Sequence, residues 1–181
     1  MSIIKQVEYH LGNKILIIRN VESQDAEELI QFLRKIAVET NFLLREPDEF
    51  TLTIEQQEKF IQEQQDSEVN LFILAEVEGK IVGTCSVNGD TRRRIRHTAN
   101  LGISIEKDHW GIGIGKKLMQ TAIQWAKGNG ISRITLQVDT ENFRALNLYL
   151  KLGFEVEGTL RNEMILSDGS YRNAYTMALL L

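Results

Sequence analysis

Three glycines that alternate with two isoleucines, Gly111-Ile112-Gly113-Ile114-Gly115, most constrain what this chain can fold into. Apolar residues alternate just before them, at Leu101, Ile103 and Ile105, as they do in a half-buried strand. Behind the glycines, apolar residues recur from Leu118 to Ala126 at the spacing of one buried helical face. The pattern predicts a strand, a glycine turn and a helix in direct succession.

A helix that begins on bare glycines is suited to bind a phosphate group. Its first N–H groups have no partner inside the helix, and the macrodipole is positive there. Glycine also lets the backbone approach an anion without a Cβ in the way. A P-loop would need a Ser or Thr after its lysine, but Lys117 follows Lys116; the dinucleotide fingerprint would need a glycine where Lys116 stands. Both nucleotide motifs therefore match poorly.

Two segments resemble motifs of the GNAT acyl-CoA N-acyltransferases. The segment Trp110-Gly111-Ile112-Gly113-Ile114-Gly115 is similar to motif A, with Trp110 where the family has Gln or Arg. The segment from Asn142 to Phe154, Asn-Phe-Arg-Ala-Leu-Asn-Leu-Tyr-Leu-Lys-Leu-Gly-Phe, is similar to motif B. One predicted helix and one predicted strand separate the two motifs, as in the family. The resemblance covers Leu71 to Leu181 well and the first 70 residues only loosely.

The resemblance implies an α/β (α+β) fold, the GNAT fold. This is a mixed, mostly antiparallel seven-stranded sheet flanked by about four helices, with its fourth and fifth strands splayed apart. The residue patterns give the same order, β-α-α-β-β-β-α-β-α-β-β. The fourth strand is predicted over Thr98 to Glu106, and Gly102 inside it predicts a β-bulge. At this length we expect a single domain over residues 1–181.

Composition narrows the partners and the compartment. The net charge of −4 makes nucleic acid an unexpected partner. Cys85 is the only cysteine and lies in an apolar strand, which indicates core packing and a reducing compartment. The first residues are too polar for a signal peptide, and no apolar run approaches the length of a membrane span. We therefore expect a cytoplasmic protein that binds neither a membrane nor a metal.

The resemblance implies that acetyl-CoA is the cofactor. Its pyrophosphate would lie on the glycine turn, and its pantetheine arm would lie between the fourth and fifth strands. Asn142 has a second interpretation, as the cap of its own helix. The residues expected to bind the cofactor are Ile103, Ser104, Ile105, Trp110, Gly111, Ile112, Gly113, Ile114, Gly115, Lys116, Asn142, Ala145, Leu148, Tyr149 and Lys151.

Transfer of an acetyl group to an amine has three chemical requirements. The amine must lose its proton, the oxyanion needs hydrogen-bond donors, and the leaving thiolate needs a proton. Tyr149 is the expected catalytic residue, because a neutral phenol can supply the last proton. No nucleophile adjoins the site, since Cys85 lies away from both motifs, and this favours direct attack by the amine over an acyl-enzyme.

The sequence leaves the general base open. Glu106 and His97 lie at the two ends of the fourth strand, and His109 lies beside the glycine turn. Acidic residues in the loop after the first helix could instead attract a cationic amine. The candidates are Glu106, His97, His109, Glu39, Glu46 and Asp48, or a water molecule.

The acceptor is expected to be a primary amine, on a small molecule or at a protein N-terminus. Gly153 to Arg161 resembles the branch that acetylates protein N-termini and polyamines. A homodimer through the C-terminal strands is one possible assembly. The alternative function is an acyl-CoA-binding sensor without turnover. The basic run Arg92 to Arg96 is interpreted as a solvated hairpin tip, with a contact to the 3′-phosphate of CoA or to an acidic partner as alternatives.

Overall fold

A computed structural model describes residues 3–181 of the chain. Met1 and Ser2, the start of the predicted domain, lie outside the described residues. One open mixed sheet has the strand order β1-β2-β3-β4-β5-β6-β8-β7. Its strands are β1 Val7–Leu11, β2 Lys14–Asn20, β3 Asn70–Val77, β4 Lys80–Gly89, β5 Thr98–Ile105, β6 Arg133–Asp139, β7 Glu155–Ile165 and β8 Tyr171–Leu180. The helices are α1 Ala26–Glu39, α2 Ile54–Asp66, α3 Ile114–Gly128 and α4 Phe143–Lys151.

The sheet has one strand more than the seven expected. Strand β1 pairs antiparallel with β2 through a tight turn, in which Gly12 has a φ of 64°. The side chains of β1 are alternately half-buried and exposed, and none is fully buried. Because its sequence carries no buried apolar run, the strand was not predicted from periodicity alone.

The four helices cover both faces of the sheet. Helices α1 and α2 pack on one face, where Leu29, Phe32 and Ile61 meet Leu74 of β3. Helices α3 and α4 pack on the other face, against a larger core that includes buried Cys85. The predicted core position of Cys85 is therefore confirmed. We refer below to the α1 face and the α3 face of the sheet.

Strands β5 and β6, the fourth and fifth of the predicted order, separate along their length. They pair in parallel only from Thr98 with Arg133 to Asn100 with Thr135. Beyond that point β5 stays paired with β4, and β6 stays paired with β8. The predicted splay is thus confirmed, and it opens toward the carboxyl ends of both strands.

The bulge predicted at Gly102 is absent from the described pairing of β5. Gly102 pairs with Ser86 of β4 in an uninterrupted register. The gap arises because β6 turns away with β8, so β5 needs no extra residue to open it. Among residues 3–181, no helix combines the length and apolarity needed to cross a bilayer.

Candidate active site

The glycine turn presents the amino end of α3 at the open end of the splay. Gly111 and Gly113 have φ values of 80° and 93°, a region that favours glycine. Gly113 is the N-cap, yet no side chain caps the helix, and its first turn contains no acidic residue. The first N–H groups of α3 are therefore left for an external acceptor, and an anion suits them best.

Arg144, on α4, lies beside this turn. Its guanidinium carbon is 5.0 Å from the ring centre of Trp110, and its Nη1 would be 3.5 Å from a Cβ on Gly111. The Trp110 indole is fixed by its Nε1, which donates to the carbonyl of Ile105 at 2.7 Å. Sequence reasoning favoured Lys116 and left out Arg144, because Arg144 is about 30 residues from the turn and the sequence carries no signal of a contact at that separation. The geometry makes Arg144 the cation best placed beside the turn.

Within residues 3–181, Lys116 and Lys151 make no hydrogen bond or ion pair near the turn. Lys116 is exposed in the first turn of α3, next to the glycines. Lys151 is exposed in the last turn of α4, about 10 Å along the helix axis from Arg144. Lys117 is engaged elsewhere, with its Nζ 3.7 Å from the ring centre of Tyr9.

Gly115 allows three elements to meet beside the splay. A Cβ at this position would lie 2.9 Å from Cδ1 of Ile105 and 3.1 Å from Cδ2 of Leu148. Ile103 and Ile105 are half-buried and pack on the α3 face with Ala145 and Leu148. The structure thus brings together these predicted cofactor-binding residues. Because side chains alternate along a strand, Ser104 faces the α1 face instead.

Tyr149 is buried on α4 and packs against Phe154, with the ring centres 5.9 Å apart. Burial raises the pKa of its hydroxyl, and the neighbouring Cys85 raises it further. Cys85, expected to lie away from both motifs, therefore neighbours Tyr149 of motif B, and burial raises the pKa of its thiol to about 12, which leaves it a poor nucleophile. Within residues 3–181 no hydrogen-bond partner is recorded for the Tyr149 hydroxyl. The group is therefore a neutral donor at the α3 face of the sheet.

Asn142 caps α4, as one of its two interpretations expected. Its Oδ1 accepts a hydrogen bond from the backbone N–H of Ala145 at 3.2 Å. The side-chain amide nitrogen has no partner among residues 3–181, so its contact with pantetheine stays a prediction.

Glu106 is held in an ion-pair cluster and does not face the splay freely. It is buried and pairs with Lys35 of α1, and its Oε2 lies 2.9 Å from Nδ1 of His109. These three residues line a cavity of about 360 Å³ between α1 and the β3–β4 hairpin. His97 lies at the other, closed end of β5, where its carbonyl accepts from Ser132 and Arg133.

A second cavity, here called the cleft, lies on the α1 face at the open end of the splay. Its volume is about 340 Å³, and it is lined by residues 38–42, Lys107, Trp110 and Arg172. Glu39 is the acidic residue of this lining, and its Oε2 accepts from the backbone N–H of Lys107 at 2.8 Å. Glu46 and Asp48 are exposed and do not line the cleft. Of the candidate bases, Glu39 is therefore the one that borders the cleft.

The basic run Arg92 to Arg96 lies far from the glycine turn. It joins β4 to the amino end of β5, whereas the turn follows the carboxyl end of the same strand. Eight residues of strand separate them by about 26 Å. Residues 3–181 contain no group of three or more His, Cys, Asp or Glu side chains placed to hold a metal ion.

Comparison with known proteins gives a consistent result. The family model "Acetyltransferase (GNAT) family" matches residues 28–154. A crystal structure of the acetyltransferase of GNAT family from Streptococcus pneumoniae is 38% identical, with a TM-score of 0.88, and the match covers 92% of this chain and 99% of that one. The structure of yncA from Salmonella typhimurium, solved with its cofactor acetyl-CoA, has a TM-score of 0.80 over 92% and 94% of the chains. At 18% identity that second match shows a shared fold alone.

Curated relatives match over shorter lengths. The L-amino acid N-acetyltransferase AaaT of Escherichia coli is 33% identical over 110 residues, which are 59% of this chain and 65% of AaaT. The spermidine N(1)-acetyltransferase of Escherichia coli is 33% identical over 86 residues, 47% of this chain and 46% of that enzyme. The chain thus spans less than two thirds of the length of either relative.

Proposed function

Since this chain belongs to the acetyltransferase (GNAT) family, we propose that it is an acetyl-CoA-dependent N-acetyltransferase that acts on a primary amine. The observation that carries the proposal is the uncapped amino end of α3 beside two splayed strands. The helix end and Arg144 suit the pyrophosphate of acetyl-CoA. Backbone groups of β5 that β6 leaves unpaired suit the amides of the pantetheine arm.

In the proposed reaction the amine nitrogen attacks the thioester carbon, and the carbon–sulfur bond breaks. Glu39, which borders the cleft, accepts the proton from the amine, directly or through water. N–H groups of β5 hydrogen-bond the oxyanion. Tyr149 donates its hydroxyl proton to the leaving thiolate of CoA, and Glu39 then releases the amine proton to solvent while Tyr149 takes one up, so both groups return to their starting forms. Proton acceptance by Glu39 and proton donation by Tyr149 thus occur on opposite faces of the sheet. The gap between β5 and β6 links the two faces.

The proposal also concerns the identity of the acceptor, the cellular compartment and the oligomeric state. Relatives named for L-amino acids and for spermidine both support an amine acceptor. A protein N-terminus, a cytoplasmic location and a homodimer through β7 and β8 stay predictions from the sequence.

Release of free CoA thiol tests the proposal. The purified chain is mixed with acetyl-CoA and a panel of amino acids, polyamines and short peptides, and the acetylated product is identified by mass spectrometry. We expect thiol release that depends on one amine class and equals product formation. Tight acetyl-CoA binding with no product from any amine would contradict the proposal and would favour the sensor function.

A further inference from the structure

The cleft lining contains an arginine that makes its ion pairs through one edge of its guanidinium. Arg172 lies near the start of β8 and lines the cleft together with Lys107 and Trp110. Its Nη1 is buried, pairs with Glu141 and lies 3.9 Å from Oδ1 of Asp139. Its Nε and Nη2 donate no hydrogen bond within residues 3–181. One edge of the guanidinium is therefore anchored, while the Nε and Nη2 edge, here called the free edge, makes no hydrogen bond.

The carboxylate of Asp139, which lies beside Arg172, is buried at a cost in stability. It ends β6, and its side chain is 1% exposed. Its Oδ1 accepts from the backbone N–H of Glu141 at 2.7 Å, whereas its Oδ2 has no hydrogen-bond partner. A buried carboxylate oxygen without a partner is unfavourable, so the fold retains Asp139 at a cost in stability. Asp139 and Glu141 together fix the position of Arg172 beside the cleft.

The free edge of Arg172 has a specific chemistry. Nε and Nη2 of an arginine form a planar pair of donors that matches the two oxygens of a carboxylate. Lys107, also in the cleft lining, adds a second cation whose Nζ has no partner among residues 3–181. The lining contains two cations, Lys107 and Arg172, and one carboxylate, Glu39, while Glu141 and Asp139 lie beside Arg172 on its anchored edge. The apolar part of the lining consists of Val38, Phe42 and Trp110.

We propose that the acceptor is a small amine that carries a carboxylate, of the amino-acid class, and that Arg172 binds this carboxylate. The inference rests on the proposed function, because the cleft must be the acceptor site. The cleft volume of about 340 Å³ lies within the range of pockets for small molecules. With the carboxylate on Arg172, the amine is left to face Glu39 and the splay. Arg172 is then a residue that determines specificity.

Three matched acceptors test the proposal. They are L-leucine, L-leucinamide, which resembles a peptide N-terminus, and isoamylamine, which lacks the carboxyl group; the phenylalanine series is a second set. We expect kcat/KM to be at least about tenfold higher for the acids than for the other two amines. Arg172→Gln should remove that preference by lowering kcat/KM for the acids alone. Arg172→Lys should restore it only in part, because an ammonium group does not offer two parallel donors.

The matched control is Arg133→Gln. Arg133 is also a half-buried arginine on the sheet, but it pairs with Glu157 at the closed end of the splay. It should leave the preference unchanged. Three results would overturn the proposal. The wild type could show equal kcat/KM for the acid and the amide, or Arg172→Gln could lower kcat/KM equally for all three amines. Arg172→Gln could also raise the KM for acetyl-CoA and leave the preference for acids intact.

A binding measurement separates this proposal from the proposed function. Calorimetry compares N-acetyl-leucine with N-acetyl-isoamylamine on the complex with CoA. Tighter binding of the acid by at least about tenfold, lost in Arg172→Gln, would support the carboxylate site even if no amine is acetylated. Equal affinity of the two compounds would overturn it.

Discussion

In the proposed reaction, the hydroxyl of Tyr149 is the individual group on which the chemistry depends most. Its ring is held between α4 and the sheet by Phe154, and its hydroxyl is near Cys85 in a buried environment. Burial disfavours the phenolate, so the raised pKa keeps the proton on the oxygen. In the proposed reaction, the leaving thiolate of CoA is the acceptor of this proton.

Tyr149→Phe should lower kcat by about 10- to 1000-fold while the dissociation constant of acetyl-CoA changes less than about threefold. The ring stays in place, and only the proton donor is lost. Because the pKa is raised, the wild-type kcat should show no decline from Tyr149 ionisation between pH 7 and about 10. Steady-state kinetics and equilibrium binding measure both effects.

Tyr171→Phe, which removes an exposed hydroxyl on β8, is the control and should change neither quantity. A kcat of Tyr149→Phe equal to that of the wild type would remove Tyr149 from the mechanism.

At the level of elements, the packing beside the glycine turn depends on the close approach of α3 to β5 and α4. Gly115 gives that approach, and the same helix ends at Gly128 in open space. The two glycines therefore have different physical roles in one helix. The first permits contact between elements that border the proposed cofactor site, and the second lacks a side chain without any such contact.

Gly115→Ala should destabilise the chain by about 1 kcal/mol, because Ile105 and Leu148 must move to admit the methyl group. The same shift should weaken acetyl-CoA binding. Gly128→Ala, the matched control, should stabilise the fold by about 0.5 to 1 kcal/mol, since no atom lies within 4 Å of the added Cβ. Denaturant unfolding measures both changes. Equal stability and equal acetyl-CoA affinity of the two variants would contradict the packing described for Gly115.

At the scale of the whole molecule, the sequence predicted those features that are encoded within one short stretch of chain. The glycine turn, its helix and the motif B helix each lie within one stretch of chain, and their order identified the fold. Strand β1 was missed because it buries no continuous apolar run. The prediction of a bulge at Gly102 was wrong, because the splay is opened by the path of β6 and not by β5 itself.

Contacts between distant residues were beyond the reach of the sequence. Arg172 meets Asp139 only because β8 inserts between β6 and β7. Lys35 meets Glu106 only because α1 lies across the end of β5. Charged side chains carry no periodic signal that names a partner, so the wall of the cleft became visible only in the folded chain. That residues 1–181 form a single domain stays a prediction.

Thermal unfolding with and without acetyl-CoA tests the central claim most directly, with CoA, ATP and NAD as comparison ligands. A ligand at about 100 times its dissociation constant adds about 2.7 kcal/mol of stability, which shifts the midpoint measurably. The account predicts a clear upward shift with acetyl-CoA and CoA and none of similar size with ATP or NAD. No shift with saturating acetyl-CoA would contradict it.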